Sequence, residues 1–319
     1  MKNVELKEKN LMRYITLGQD DKELSEIVLG MMRIKDKSVK EVEELVETAL
    51  SVGINAFDLA DIYGRGRCEE LLGIVLKNRP DLREKMWIQS KCGIRIEEFT
   101  YFDFSKDYII KSVDGILQRL KIDHLDSLLL HRPDALMESD QVAEAFDLLY
   151  KQGKVRDFGV SNQNPMMMEL LKKDVKQPLA VNQLQLSAAF TPGFESGFHV
   201  NMEDSQATMR DGSVFEYCKL HDVVIQAWSV LQFGYFKGNF VGNEKFQALN
   251  QVLDRLAFKY GVTPSTIAIS WILRYPAKMQ AVVGTTNPKH LREVSQAANF
   301  SLTRKEWYEI YLAAGNNLP

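Results

Sequence analysis

Four residues in the first half of the chain carry side chains that could move a proton together: Asp58, Tyr63, Lys91 and His131. Asp58, Lys91 and His131 each end an apolar run, and Tyr63 follows shortly after Asp58 in D-L-A-D-I-Y-G. A phenol with an ordinary pKa near ~10 is a poor acid at neutral pH. A lysine ammonium beside it stabilises the phenolate and lowers that pKa, and a carboxylate keeps the ammonium charged and oriented. A histidine at the same place can donate a hydrogen bond to a substrate oxygen. Each pKa unit is worth about 1.4 kcal/mol, so a shift of two or three units matters to a proton transfer. Singly, Asp58 reads as a loop cap, Tyr63 as packing and His131 as a satisfied core residue. Lys91 is harder to dismiss, because an ammonium ending an apolar run needs a partner once desolvated. A strand-end lysine also admits Schiff-base chemistry in a barrel isomerase or lyase, a reading that leaves Tyr63 and Trp228 unexplained. No Ser or Cys stands beside a base in a way that suggests a covalent nucleophile.

These residues need a scaffold that gathers strand ends from distant parts of the chain. Apolar runs recur at 27–31, 54–58, 86–91, 125–131, 155–160, 180–184, 223–228 and 280–284. Runs this apolar predict strands covered on both faces, and the amphipathic stretches between them predict helices and a parallel sheet. Ser38 and Glu41 form a capping-box pattern ahead of Val42, Leu45 and Val46, with Gly53 at the far end. Ser105 precedes a second amphipathic stretch. Asn164-Pro165, Thr263-Pro264 and Asn287-Pro288 each set a capping residue before a proline at the first helical position, and Thr303 with Glu306 boxes a last helix. Eight strands with interleaved helices predict a single (β/α)8 TIM barrel, one domain over residues 1–319. Residues 1–26 form an extension with a hairpin around 17–23 that could close one end. Long loops at 92–104, 187–220 and 231–243 follow strand C-termini, the face where barrel active sites are built. An open doubly wound sheet would need a phosphate fingerprint, but Glu69 holds the third glycine position after Gly64 and Gly66.

Composition narrows the function classes. Of 319 residues, 45% are apolar and 26% charged, an ordinary globular balance. A formal charge of −3 gives no electrostatic footprint for nucleic acid, and no polybasic run suggests an anionic membrane. No apolar stretch is long enough to span a bilayer, and the first residues lack a signal-peptide core. Cys68, Cys92 and Cys218 are an odd number at unrelated spacings, which fits reduced thiols in the cytoplasm. The five histidines form no metal-ligand pair, so no metal is expected.

Seven motifs, in order, carry a resemblance: G-I-N-A-F-D-L-A-D-I-Y-G (53–64), Q-S-K-C-G (89–93), L-L-L-H-R-P-D (128–134), G-V-S-N (159–162), V-N-Q (181–183), A-W-S (227–229) and V-G-T-T-N-P-K-H-L-R-E (283–293). Over nearly its whole length the chain resembles the aldo-keto reductase superfamily, most closely its bacterial YdhF-like branch. The resemblance implies NAD(P)H-dependent reduction of an aldehyde or ketone, or the reverse oxidation, acting on a small-molecule carbonyl substrate as a monomer or weak homo-oligomer. Asp58, Tyr63, Lys91 and His131 match the catalytic tetrad: Tyr63 the general acid, Lys91 its tuning partner, Asp58 the support for Lys91, and His131 the orienting donor. Ser161, Asn162 and Gln183 match the residues that hold the nicotinamide carboxamide, and Trp228 replaces the tyrosine many members stack on the ring. Ser229, Leu231 and Gly234 match the loop that approaches the pyrophosphate, here altered by Val230 and by the Gln232-Phe233 interruption. Gly284, Thr285, Thr286, Asn287, His290 and Glu293 match the eighth-strand coenzyme segment. There Gly284 stands for a lysine and His290 for an arginine that meet the 2′-phosphate in relatives. Thr285, Lys289, Arg292 and the helix start at Asn287 remain to attract a phosphate, so NADPH is expected to be preferred, with NADH possible and the preference modest. The superfamily also holds coenzyme-binding regulatory subunits without turnover, such as potassium-channel β-subunits. The intact tetrad, with no inactivation-type N-terminal segment, points away from that alternative.

Overall fold

Residues 12–18, 22–194, 212–234 and 236–316 are described by the computed structural model. The strands are β1 (Tyr14–Leu17), β2 (Lys22–Ser25), β3 (Ile27–Gly30), β4 (Ala56–Asp58), β5 (Trp87–Cys92), β6 (Ile94–Ile96), β7 (Thr100–Phe102), β8 (Leu125–Leu130), β9 (Val155–Ser161), β10 (Leu179–Gln185), β11 (Val224–Trp228) and β12 (Met279–Val283). Eight of them, β3, β4, β5, β8, β9, β10, β11 and β12, close in chain order into a parallel barrel, with β12 paired to β3. This is the expected (β/α)8 barrel. Each apolar run lies on a barrel strand, because residues such as Ile27, Leu29, Ile88, Leu128 and Leu130 are fully buried between barrel and helices.

The helix signals hold where the caps are formed. Ser38 and Glu41 make a complete capping box on helix Val39–Ser51, and Thr303 and Glu306 do the same on Arg304–Ala313. Asn164, Thr263 and Asn287 accept from backbone N–H groups of the helices that follow them. The N-terminal hairpin β1–β2 pairs antiparallel, its turn residues 19–21 lying outside the described residues. Leu17 and Leu24 pack with Trp87, Leu129, Val181 and Val224. Trp87 begins β5 and Val224 begins β11, so the hairpin covers the N-terminal end of the barrel, opposite the strand ends where the chemistry-bearing residues sit.

Two expected loops contain structure. Within 92–104, β6 and β7 form a small antiparallel ribbon, because Ile94 and Ile96 alternate with Arg95 in a run too short to announce a strand. Within 187–220, the last turns form the helix Val214–Leu220, with Val214, Phe215 and Cys218 buried. The stretch 195–211 lies outside the described residues.

Candidate active site

The barrel register places the acid and the base on one level. Asp58, the last residue of β4, pairs with Gln89 of β5, and Lys91 follows two residues on, facing the same way. Lys91 is fully buried. Its ammonium lies 2.7 and 2.8 Å from the two Asp58 carboxylate oxygens. It also donates to the Leu59 carbonyl at 2.6 Å and to the Tyr63 hydroxyl at 3.1 Å. Tyr63 reaches this point through the Y-G-R-G turn, where residues 64, 65 and 66 all have positive φ (59°, 56° and 87°). A Cβ at 64 would stand 2.9 Å from Lys35 Cβ, and one at 66 would stand 2.7 Å from Arg119 Cδ, so the turn that delivers the phenol requires both glycines. His131 follows β8 directly, its ring edge-on to Tyr63 with centroids 5.8 Å apart and an 81° interplanar angle. All four sequence-expected residues therefore meet.

Burial alone would lower the pKa of Lys91, but the Asp58 and Tyr63 charges outweigh it and hold the group raised. It is an ammonium, and the Schiff-base reading loses its nucleophile. Burial pushes the Tyr63 phenol up, and Lys91 offsets only part of that, so the net shift is upward rather than downward as expected. The reason is the enclosure of the ring, which penalises phenolate more than one ammonium shared with Asp58 relieves. His131 is driven well below 6.5 by burial first, then by Lys91 and Arg132. A neutral imidazole keeps one N–H to donate.

Around this centre Ser161 Oγ donates to the Gln183 carbonyl at 2.8 Å, Asn162 Nδ2 donates to Ser161 Oγ at 2.8 Å, and Trp228 Nε1 donates to Asn162 Oδ1 at 3.3 Å. Gln183 directs its amide nitrogen to Asp58 Oδ1 at 3.0 Å and Gln226 Oε1 at 3.1 Å. Both amide hydrogens are thus committed inward, and Oε1 is what it can offer a ligand. Beyond Trp228 the chain turns at Ser229, whose φ is 54°, and Ser229 Oγ donates to Gln232 Oε1 at 3.0 Å. Phe240 N donates to the Leu231 carbonyl, and Phe233 N to the Gly238 carbonyl, folding this loop around Gly234 onto itself. At the end of β12, Gly284, Thr285 and Thr286 lead into helix Pro288–Ser295. Thr285 Oγ1 accepts from Asn287 N and Asn287 Oδ1 from Lys289 N, so part of the helix start is already satisfied. His290 is exposed, and Glu293 lies 4.0 Å from Lys289.

Sequence reasoning passed over four residues here. Arg33, exposed after β3, brings its Nη1 to 4.0 Å from where a Cβ on Gly284 would stand, beside the missing lysine. Arg132, next to His131 in the motif, sets its guanidinium 5.5 Å from the centre of the Trp228 ring. Arg132, Asn162, Gln163, Gln185, Phe190 and Trp228 line a cavity of about 410 Å³. Gln163 is buried with both amide atoms lacking a partner, and Gln185 Nε2 is likewise enclosed and unpartnered. A glutamine beside Ser161-Asn162 was the available signal. Glu69 is structural: it accepts from Ser90 Oγ at 2.7 Å and Arg119 Nε at 2.8 Å. Among the described residues no group of His, Cys, Asp and Glu could hold a metal ion, and no helix is long and apolar enough to cross a membrane.

The sequence profile of the Aldo/keto reductase family matches residues 26–312. The chain belongs to the aldo/keto reductase family. It is 34% identical to oxidoreductase YdhF of Escherichia coli (strain K12), over 97% of this chain and all of that one. It is also 34% identical to the 6-dehydroglucose reductase of Agrobacterium fabrum, over 92% of this chain and 96% of that one. A thermostable aldo-keto reductase solved with the inhibitor epalrestat superposes with a TM-score of 0.75 at 25% identity, covering 95% of this chain and all of that one. The fold is shared as well with an aldo-keto reductase from Klebsiella pneumoniae solved with NADPH, at a TM-score of 0.74, 20% identity and 94% of each chain.

Proposed function

We propose that the protein reduces the carbonyl group of a small polar aldehyde or ketone with NADPH, reversibly, using Tyr63 as general acid. The observation that carries this is the contact of the Lys91 ammonium with both Asp58 and the Tyr63 hydroxyl in a buried pocket at the strand ends. The residues suit a nicotinamide coenzyme: Trp228 offers a flat face, Gln183 keeps an acceptor, and Gly284 leaves open ground beside Arg33. A reduced nicotinamide held by these residues would supply the hydride for the carbonyl carbon. The rest is done by the chain. Burial keeps the Tyr63 proton in place through neutral pH, so the phenol is available as a donor to the carbonyl oxygen. Lys91 stabilises the phenolate left behind, Asp58 holds Lys91, and neutral His131 donates a hydrogen bond that orients the substrate oxygen. Arg33 supplies the cation that Gly284 does not.

Polar character in the substrate is supported by the cavity beside Trp228. Arg132, Asn162, Gln163 and Gln185 give its wall polar character, and Arg132 adds a charged donor. Two relatives named 6-dehydroglucose reductase act, as that name says, on a hydroxylated substrate. The test is oxidation of NADPH by the purified protein across hydroxylated and plain aldehydes and ketones. Tyr63→Phe is expected to lower kcat by ~10²-fold or more with coenzyme affinity nearly unchanged, the pattern for loss of a general acid. Wild-type turnover in Tyr63→Phe refutes the mechanism.

A further inference from the structure

Barrel interiors are ordinarily filled by branched apolar side chains. This one carries a layer of four glutamines, all buried: Gln89, Gln183, Gln226 and Gln280. The register sets Gln183 beside Gln226 and Gln226 beside Gln280 on β10, β11 and β12, and sets Gln89 beside Asp58 across the barrel. Gln280 Nε2 donates to the Ser25 carbonyl at 2.9 Å, and Gln226 Nε2 donates to Gln280 Oε1 at 2.8 Å. Gln226 Oε1 then accepts from Gln89 Nε2 at 2.7 Å and Gln183 Nε2 at 3.1 Å, and both of those nitrogens also donate to Asp58 Oδ1, at 2.7 and 3.0 Å.

The direction of this chain is fixed at both ends. A backbone carbonyl can only accept, so Gln280 must present its nitrogen to Ser25 and its oxygen to Gln226. Gln226 must then turn its oxygen to Gln89 and Gln183, which leaves their nitrogens for the Asp58 carboxylate. Turning any one amide over would set acceptor against acceptor and donor against donor in a buried layer, where each mismatch is costly. Gln89 shows the constraint: its Oε1 is buried without a partner, yet the amide stays oriented by its two donor contacts.

We propose that Gln226 and Gln280 are positioning residues that hold Asp58 as an oriented acceptor, and through it aim Lys91 at Tyr63. The anchor is the Ser25 carbonyl at the end of β2, so the N-terminal hairpin fixes the geometry of the opposite end of the barrel. The proposal rests on Tyr63 as the proton-exchanging group, and its first readout needs neither coenzyme nor substrate. That readout is the ionisation of Tyr63, followed by tyrosinate absorbance as the difference between each protein and its Tyr63→Phe counterpart.

In Gln226→Met the glutamines facing Asp58 lose their anchor, and Lys91 is expected to stabilise phenolate less. The Tyr63 titration should then rise by about one pH unit, with Tyr63-dependent turnover falling about tenfold. Gln226→Glu should restore both, because a carboxyl buried close to the negative charge of Asp58 favours its neutral form and offers an O–H to Gln280 and a carbonyl to Gln89 and Gln183. Gln280→Met and Gln280→Glu repeat the comparison one link further away, should Gln226→Met fail to fold. A folded methionine variant that titrates and turns over as wild type overturns the proposal. So does a glutamate variant as impaired as its methionine counterpart, which would make the layer a matter of packing. Absence of Tyr63-dependent turnover in the wild type would instead retire the proposed reaction and leave the titration to be read on its own.

Discussion

Replacing Lys91 by methionine removes the centre of the site while keeping most of its volume. The ammonium is fully enclosed and touches both oxygens of Asp58, whose side chain is only 3% exposed. Without it, the carboxylate keeps the Gln89 and Gln183 donors but no counter-charge. Breaking a buried pair from one side costs about 3–5 kcal/mol, because an uncompensated charge stays behind. Asp58→Asn should cost a similar amount, since the ammonium is then left with neutral acceptors only. In Asp58→Asn/Lys91→Met neither charge remains, so the double variant should be more stable than the sum of the singles predicts, by about 2 kcal/mol or more. Urea unfolding of the four proteins at neutral pH, with unchanged slopes, measures this directly. Turnover should fail to add in the same way: each single variant loses about 10²-fold or more, and the double loses little further. Additive destabilisation across the cycle, or a Lys91→Met protein as stable as wild type, would refute the buried ion pair as the organising contact.

Adding NADPH should quench tryptophan emission through Trp228, and Trp228→Ala should remove most of that quench while weakening binding by about 1–3 kcal/mol, the scale of ring stacking. Trp87 lies under the hairpin, and Trp271 and Trp307 stack on each other with centroids 4.9 Å apart, so an unchanged quench in Trp228→Ala would move the assignment to one of these. Asp61 is pushed up from 3.8 to about 7 by burial and by Glu69, and its Oδ1 has no partner. Between about 3.8 and about 7 the folded protein therefore holds a proton there that the unfolded chain has released, so stability falls progressively across that interval and levels off above it. Asp61→Asn should stabilise more near pH 8 than near pH 5, by about 2–3 kcal/mol, and an equal gain at both would remove the titration argument. His290→Ala should lower the preference for NADPH over NADH if the imidazole meets the 2′-phosphate, and an unchanged ratio retires that role. Arg33→Ala should weaken NADPH binding in either case, and wild-type affinity in that variant would show that the guanidinium beside Gly284 does not reach the coenzyme.

The barrel was legible because its strands are buried on both faces. Burial turns each into a dense apolar run, and the run survives as a pattern whatever its neighbours are. Helix starts were legible for a different reason: Ser38, Asn164, Thr263, Asn287 and Thr303 satisfy backbone N–H groups within three residues of themselves, so the cause and its effect sit in the same short window. The β6–β7 ribbon was not legible. Three-residue strands with one partly buried isoleucine pair are held by tertiary context, and the aromatic run around Tyr101 reads equally well as a loop.

At the site, what could be read was the set of residues that stand out against an apolar background. Lys91, one residue before the end of β5, is conspicuous because an ammonium there must be explained, and Asp58, Tyr63 and His131 explain it. Glutamine is not conspicuous in the same way: Gln226 and Gln280 carry no charge, ligate nothing and interrupt their strands by one position each. Their meaning depends on register, since it is the pairing of β11 with β10 and β12, and the width of the closed barrel, that sets Gln226 against Gln89. Arg33 depends on the same kind of information, being significant only because β3 closes the barrel beside β12 and Gly284. The direction of the Tyr63 shift also turned on three dimensions. The charges around the phenol could be named from the motif, but how completely the ring is enclosed could not, and enclosure is the larger effect. A residue's type therefore announces which chemistry is available, while the amount of water left around it decides how strongly that chemistry is tuned.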